Sequence, residues 1–457
     1  MKLKDPFYFL VISLTVIFLL AIYLSERLRV NVEPFGGKNP ILSDILEDAN
    51  LSNSDCTAQD DNGETRYLAY LPHGTFHEQR TSLENAIFLA WATNRTLLLP
   101  PIIFGRKILA YEPSYYLYKD LITLKLYDEN NNQCVWDSEH EKCARQVQPE
   151  LHTLVDWEVL MDMEFPKKHI RSVPRESFKF SSLYSTIDLT DPNNQIYFIS
   201  DKGPYDYQFY DDVNGNKTSE SKYEYMIHLC TIQKRNEPLL HFGSLSGVDR
   251  LNLKLERNKR FLKELQGHML ISHPGVLNAA ELITTQLGGL TSYLGVHIGS
   301  SDYTSNDRVE FMVNNLIKEI MGKLTNASPS ESNNDTLSAR DSSFQPTSTQ
   351  VLASNCMESL PPEKKHLPII YLSTNLTRSD HGLSKFLEEF PCVFMLPDFQ
   401  RWTESLKNIV NPRDDVDIYE FLLPLVDTTV VAGGGQLFET EDDAFNSYVQ
   451  RLHEIWM

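Results

Sequence analysis

Short apolar runs separated by polar turns recur along most of this chain, and their spacing sets the elements to expect. Tyr67 to Leu71 is an apolar run that enters a glycine-containing loop. A helix-like pattern follows from Thr81 to Asn94, and a second apolar run, Thr96 to Leu99, stops at Pro100-Pro101. Strand, glycine loop, helix, strand is how a nucleotide-binding α/β unit begins, because loop amides and a helix N-terminus can face a phosphate. Gln195 to Ile199 reads as a further strand and residues 128–150 as a polar insert. In the second half, Ser292 to Ile298 is β-rich and Val309 to Leu324 has helical spacing. Leu367 to Leu372, Cys392 to Leu396 and Thr428 to Ala432 read as strands. They alternate with helix-like stretches at Gly382 to Phe390, Val416 to Val426 and Asp443 to Ile455. Strands and helices interleaved in two blocks predict an α/β protein with two parallel-sheet, Rossmann-like domains facing across a cleft, over 66–280 and 281–457. Ligand is expected at the carboxyl ends of the strands. Residues 325–366 are crowded with Ser, Thr, Asn and Pro without apolar periodicity, which predicts a disordered surface insertion.

The N-terminal pattern is different. Phe7 to Leu24 is an uninterrupted, mostly aliphatic run, flanked by Lys2, Lys4 and Asp5 before it and Glu26, Arg27 and Arg29 after it. Such a run is just long enough to span a bilayer. The alternative, a cleaved signal peptide, requires small residues at the end of the run, and Ile22-Tyr23-Leu24-Ser25-Glu26 does not supply them. The expectation is a short cytosolic tail (1–6), a transmembrane signal-anchor (7–24) and a Pro-, Gly-, Asn- and Asp-rich stem (25–65). The charge flanks tip the N-terminus toward the cytosol, giving a type II single-pass protein with a lumenal body, in the Golgi or endoplasmic reticulum.

Cysteines and sequons agree with a lumenal body. Six cysteines can form three disulfides, and Cys134 and Cys143, which close a short polar loop, are the expected pair. Their spacing suits neither a zinc ribbon nor a redox motif. Glycosylation sequons begin at Asn50, Asn94, Asn216, Asn326, Asn334 and Asn375. The formal charge of −20 argues against nucleic acid as a partner. It also means that a site for an anionic sugar nucleotide must be locally positive against an acidic background.

The segment Pro72-His73-Gly74-Thr75-Phe76-His77-Glu78-Gln79-Arg80 resembles the opening of the GDP-fucose O-fucosyltransferase-like proteins of fungi and plants, whose glycine loop leads into a His-Asn-Gln-Arg type motif. The resemblance extends over most of residues 66–457. It implies a two-domain, GT-B-type glycosyltransferase that inverts at the fucose anomeric carbon. Fucose would pass from GDP-fucose to a protein or glycan hydroxyl, with no cofactor and no metal. Residues Gly74, Phe76, His77 and Arg80 of the loop, with His297, Asp302, Asn375 and Phe445 farther on, would then bind the donor. Glu78, where the family carries asparagine, and His73 are the candidate catalytic bases.

The departures fall on positions that would touch phosphate. A family segment of the type His-x-Arg-x-Gly-Asp corresponds to His297-Ile-Gly299-Ser-Ser-Asp302, with glycine in place of the arginine. Tyr371-Leu-Ser-Thr374-Asn375 has asparagine where an aspartate is usual. In Phe438-Glu439-Thr440-Glu-Asp-Asp443-Ala444-Phe445, Glu439 replaces the glycine and Asp443-Ala444 the Ser-Thr pair whose hydroxyls hold phosphate in the family. An acidic run before a helix also makes a good cap, so Asp443 is expected to start the last helix. Losing one charge-assisted hydrogen bond removes roughly 1.5–3 kcal/mol. A carboxylate about 4 Å from a phosphate opposes it by about 4 kcal/mol at an effective dielectric near 20. The alternative reading is therefore a catalytically inactive relative that binds a glycan or a client polypeptide.

Overall fold

The computed structural model describes residues 65–127, 134–137, 142–145, 148–212, 222–299, 306–326, 352–440 and 443–457. The expected anchor and stem, Asp302, the Cys134 and Cys143 side chains and most of the insertion lie outside them. Among the described residues, no helix is long and apolar enough to cross a membrane.

Two parallel sheets organise the chain. The first contains β1 (Tyr67–Ala69), β2 (Thr96–Leu99), β3 (Ser172–Pro174), β4 (Ile196–Ile199) and β5 (Leu239–Phe242) in the order β3-β2-β1-β5-β4. The second contains β6 (Leu294–Ile298), β7 (Ile370–Thr374), β8 (Val393–Phe394) and β9 (Gln436–Glu439) in the order β8-β7-β6-β9. All these pairings are parallel. Strand order reverses beside β1 in one sheet and beside β6 in the other. Such a reversal opens a crevice beyond the carboxyl ends of the strands, where α/β folds take their ligands.

Helix α1 (Phe76–Ala92) begins five residues before the sequence pattern suggests. The reason is that its first turns bury polar side chains, so no amphipathic stripe marks them. Gln79 donates to the Gly74 and Ile103 carbonyls and accepts from the Ile103 amide, while Asn85 donates to the Leu245 carbonyl. The Gln79 and Asn85 amides are thereby satisfied. Gly74 precedes the helix at φ +84°, a conformation that strains any side chain, and a Cβ there would also strike Glu78.

The expected strand at Thr428 to Ala432 is not one. Residues Tyr419–Ala432 form a single helix, and the strand falls later, at β9. The run Thr428-Thr429-Val430-Val431 has β propensity, but it is buried among other helices, where packing outweighs a propensity of a few tenths of a kcal/mol per residue. Its backbone lies so close to β6 that a Cβ on Gly295 would stand 2.2 Å from the Val431 carbonyl oxygen. The insertion also differs at its end. Leu352–Ser359 is helical, and Cys356 is disulfide-bonded to Cys392 at the entry to β8. Cys230 is disulfide-bonded as well.

The two sheets share one core. Helices α2 (Pro274–Gln286), α3 (Tyr419–Ala432) and α4 (Ala444–Trp456) contribute Ile283, Leu425 and Val449 to the cluster that holds Leu83 and Ile87 of α1. Where α4 meets α1, the Glu84 carboxylate sits between two guanidiniums. Arg80 pairs with Glu84 and Arg451 reaches the same carboxylate at 2.7 Å. Arg80 is fully buried, lies 4.3 Å over the Tyr448 ring and donates to the Ala444 carbonyl. Burial alone would push the Glu84 carboxyl up, but the two guanidiniums hold it below its ordinary value. Glu84→Gln would leave two cations without a counter-charge. Breaking a buried pair on one side costs about 3–5 kcal/mol, and urea unfolding of the variant should show a loss of that size. A loss under about 1 kcal/mol would remove this contact from any structural role.

Candidate functional site

The loops leaving the two reversal points carry most of the residues singled out in the sequence. After β1 the chain runs through Pro72-His73-Gly74 into α1, and after β5 through Gly243-Ser244. The two exits are joined by a hydrogen bond of 2.6 Å between His73 Nε2 and Ser244 Oγ. After β6 and β9 the exits are joined in the same way, the Gly299 amide donating to Thr440 Oγ1 at 3.1 Å.

Between them stands a cluster of rings. Phe445, in the first turn of α4, has its ring centroid 4.2 Å from that of His297 and 5.2 Å from that of His77. His77 also hydrogen-bonds Thr428 Oγ1 at 3.1 Å. Burial drives His77 well below the ordinary imidazole range, with Arg80 and His297 adding to the shift. Burial lowers His297 too, against the nearby Asp443 and a hydrogen bond with Asn446. Both imidazoles are therefore neutral near neutral pH. Three of the four segments singled out in the sequence thus meet at one place, contributed by both sheets.

Other expected site residues do not reach it as ligand contacts. Phe76 packs in the core against Phe104 and Trp157, and Arg80 is sealed within its pairing to Glu84. Glu78 caps its own helix, its Oε2 accepting from the Thr75 amide at 2.7 Å. The side chain is half-buried. Asn375 is exposed just past β7. Asp302 lies outside the described residues. Asp443 caps α4, its carboxylate accepting from the Asn446 amide at 2.8 Å. The helix N-terminus that could face a phosphate already holds a carboxylate.

Sequence reasoning missed a polar network beneath His73. Asp201, just past β4, accepts from the Ser244 amide at 2.5 Å and from Tyr111 OH at 2.7 Å. Ser114 Oγ accepts from the Asp201 amide, and the Tyr111 ring lies edge-on to His73 at 5.3 Å. Burial raises the Asp201 carboxyl to about 6, against hydrogen bonds that favour its charge. Burial, reinforced by Arg250, lowers His73 to about 4. The available signal was an apolar run ending in Gly-Ser, Leu239 to Ser244, which is the same strand-to-loop exit read at β1. Among the described residues no group of three or more His, Cys, Asp or Glu is placed to hold a metal.

The fold and site define a class: an α/β protein whose two parallel sheets present their reversal points to each other. No protein-family model matches the chain. No curated protein matches it either. Solved structures align along most of its length at low similarity. One is POFUT1 in complex with GDP-fucose, 11% identical, covering 87% of this chain and 95% of that one with a TM-score of 0.34. Another is POFUT1 in complex with GDP, 11% identical, covering 85% and 96% with a TM-score of 0.37. A third is NodZ alpha-1,6-fucosyltransferase soaked with GDP-fucose, 13% identical, covering 85% and 92% with a TM-score of 0.36. Likeness at this level carries no functional assignment, so the site must be argued from its own residues.

Two measurements test the geometry. Asp443→Asn keeps an amide-capping oxygen and should leave the thermal midpoint nearly unchanged, whereas Asp443→Ala should cost about 1 kcal/mol. The second concerns pH. His73, lowered in the fold, contributes stability that rises as pH rises from about 4 to 6.5. Asp201, raised from 3.8 to about 6, contributes stability that falls over nearly the same window. The two oppose each other in the natural protein. Asp201→Asn should therefore make stability rise more steeply between pH 4.5 and 6.5, by on the order of 2 kcal/mol, in urea titrations at the two pH values.

Proposed function

We propose that this chain is a glycosyltransferase of the O-fucosyltransferase-like kind, with a lumenal α/β body behind a type II N-terminal anchor in the secretory pathway. The observation that carries this reading is the meeting of His77, His297 and Phe445 between two strand-reversal points. Those residues come from three separate segments of the family resemblance. GDP-fucose would place its diphosphate beyond β6 and β9, near His297, the Gly299 amide and Thr440. A protein or glycan hydroxyl would approach from the β1 side. In an inverting displacement the acceptor oxygen forms its bond to the anomeric carbon as the carbon–phosphate oxygen bond breaks. The hydroxyl proton then passes to a base. Glu78, whose Oε2 caps the helix start, and His73, neutral above pH 4, are the two candidates for that role. Positive charge on side chains, rather than a metal, would have to balance the leaving diphosphate.

A specific observation favours a second reading. The arginine position is Gly299, Arg80 is buried against Glu84 and the Tyr448 ring, and Asp443 occupies the helix start where phosphate would sit. A catalytically inactive lumenal protein that binds a glycan or client polypeptide would keep the fold and lose the donor contacts in this pattern.

Calorimetric titration of GDP and GDP-fucose into the full chain in detergent, with chelator present, separates the two. The enzyme reading expects micromolar binding, and no binding at millimolar GDP-fucose from folded protein would replace it with the second. Asp443→Asn should tighten GDP binding at least tenfold, because it removes a charge opposed to phosphate without removing the cap. Glu78→Gln and His73→Gln divide the base role. Whichever leaves transferase activity intact is not the base.

A further inference from the structure

At the other end of α1, about 25 Å from its first turn at 1.5 Å per residue, an open pocket of ≈ 780 Å³ has an unusual lining for so acidic a protein. Arg95, Lys167, Lys168, Arg171 and Arg257 face it, and the lining holds no carboxylate. Arg95 forms the floor. It is buried, fixed by donation to the carbonyls of Tyr67 (3.2 Å), Glu237 (2.8 Å) and Arg235 (2.5 Å), and faces no carboxylate within ion-pair distance among the described residues. Burial lowers its guanidinium to about 9, and the neighbouring Arg66 adds to that shift. Glu237 opposes that shift, so the case for an anion rests on the cationic lining itself.

The rim adds mobile charge. Lys167 and Lys168 pair with Glu158 and Glu164, each at 3.0 Å, but all four side chains are exposed, and such pairs are worth little. Arg171 and Arg257 are exposed and make no ion pair among the described residues. Arg257 lies 4.9 Å over the Trp91 ring, and Trp91 stacks on Phe261 at 3.9 Å. Trp91 is thus already engaged by Phe261 and Arg257. The pocket therefore offers charge and hydrogen-bond donors to oxyanions, in a volume that suits an oligosaccharide.

We propose that this pocket binds a polyanionic glycan, one carrying phosphate or sulfate esters, at a site separate from the donor site. The proposal does not depend on whether the chain transfers fucose. Titration of a heparin-type sulfated tetrasaccharide and of inorganic pyrophosphate into the full chain in detergent, with neutral dextran as control, tests it. The expected result is binding at 50 mM salt that weakens severalfold by 300 mM, as screening requires. Arg171→Ala and Arg257→Ala should each weaken it about tenfold, with unchanged thermal midpoints because both side chains are exposed. Binding of the tetrasaccharide alone would identify sulfate esters as the ligand, and of pyrophosphate alone, phosphate esters. Binding that survives the double variant, or no binding of either probe, overturns the proposal.

Discussion

The placement of everything functional depends on one carboxylate. Glu84 is buried between Arg80 of the same helix and Arg451 of the last helix, so a single ionised group holds the end of the chain against the start of the fold. Its neighbours leave little freedom. The Arg80 guanidinium lies on Tyr448, and Tyr448 accepts the Ile271 amide at 2.8 Å. A buried ion pair gives little net stability compared with an apolar replacement, but it is intolerant of other registers, because a shift would strand a charge in the core. That intolerance fixes Phe445 within ring contact of both His77 and His297.

The same arrangement explains the electrostatic character of the site. An arginine that could have faced a diphosphate is spent on holding α1 to α4. The amide donors that could have held phosphate at the start of α4 are shared with Asp443. The site is thus well defined in shape and poor in positive charge, while a cluster of five basic side chains lines the pocket at the far end of α1. Any anionic donor in the ring cluster would have to rely on neutral imidazoles, the Gly299 amide and the Thr440 hydroxyl. The pocket at the far end has the reverse character, with fixed and mobile cations around a cavity. Charge has been separated along one helix, and the two ends suit different chemistry.

The pattern of apolar runs by itself determined the class of the fold. β1, β2, β4, β6 and the final helix with its Asp443 cap lie where the sequence placed them, because a buried parallel strand must be a short continuous apolar run and a helix start needs an acceptor. It was the motif resemblance, not the apolar pattern, that singled out His73, His77, His297 and Phe445. What it could not supply was packing. The start of α1 was hidden because its polar residues are buried and paired with distant carbonyls. The run Thr428 to Ala432 looked like a strand because β propensity is local, whereas the choice of helix is made by the surfaces around it. Arg80 looked like a phosphate ligand because nothing near it in sequence reveals that Arg451 and Tyr448 would close over it. Asp201, Tyr111 and the basic pocket around Arg95 are each assembled from residues far apart in the chain, and only the tertiary fold, which sets distance and dielectric together, decided what they face.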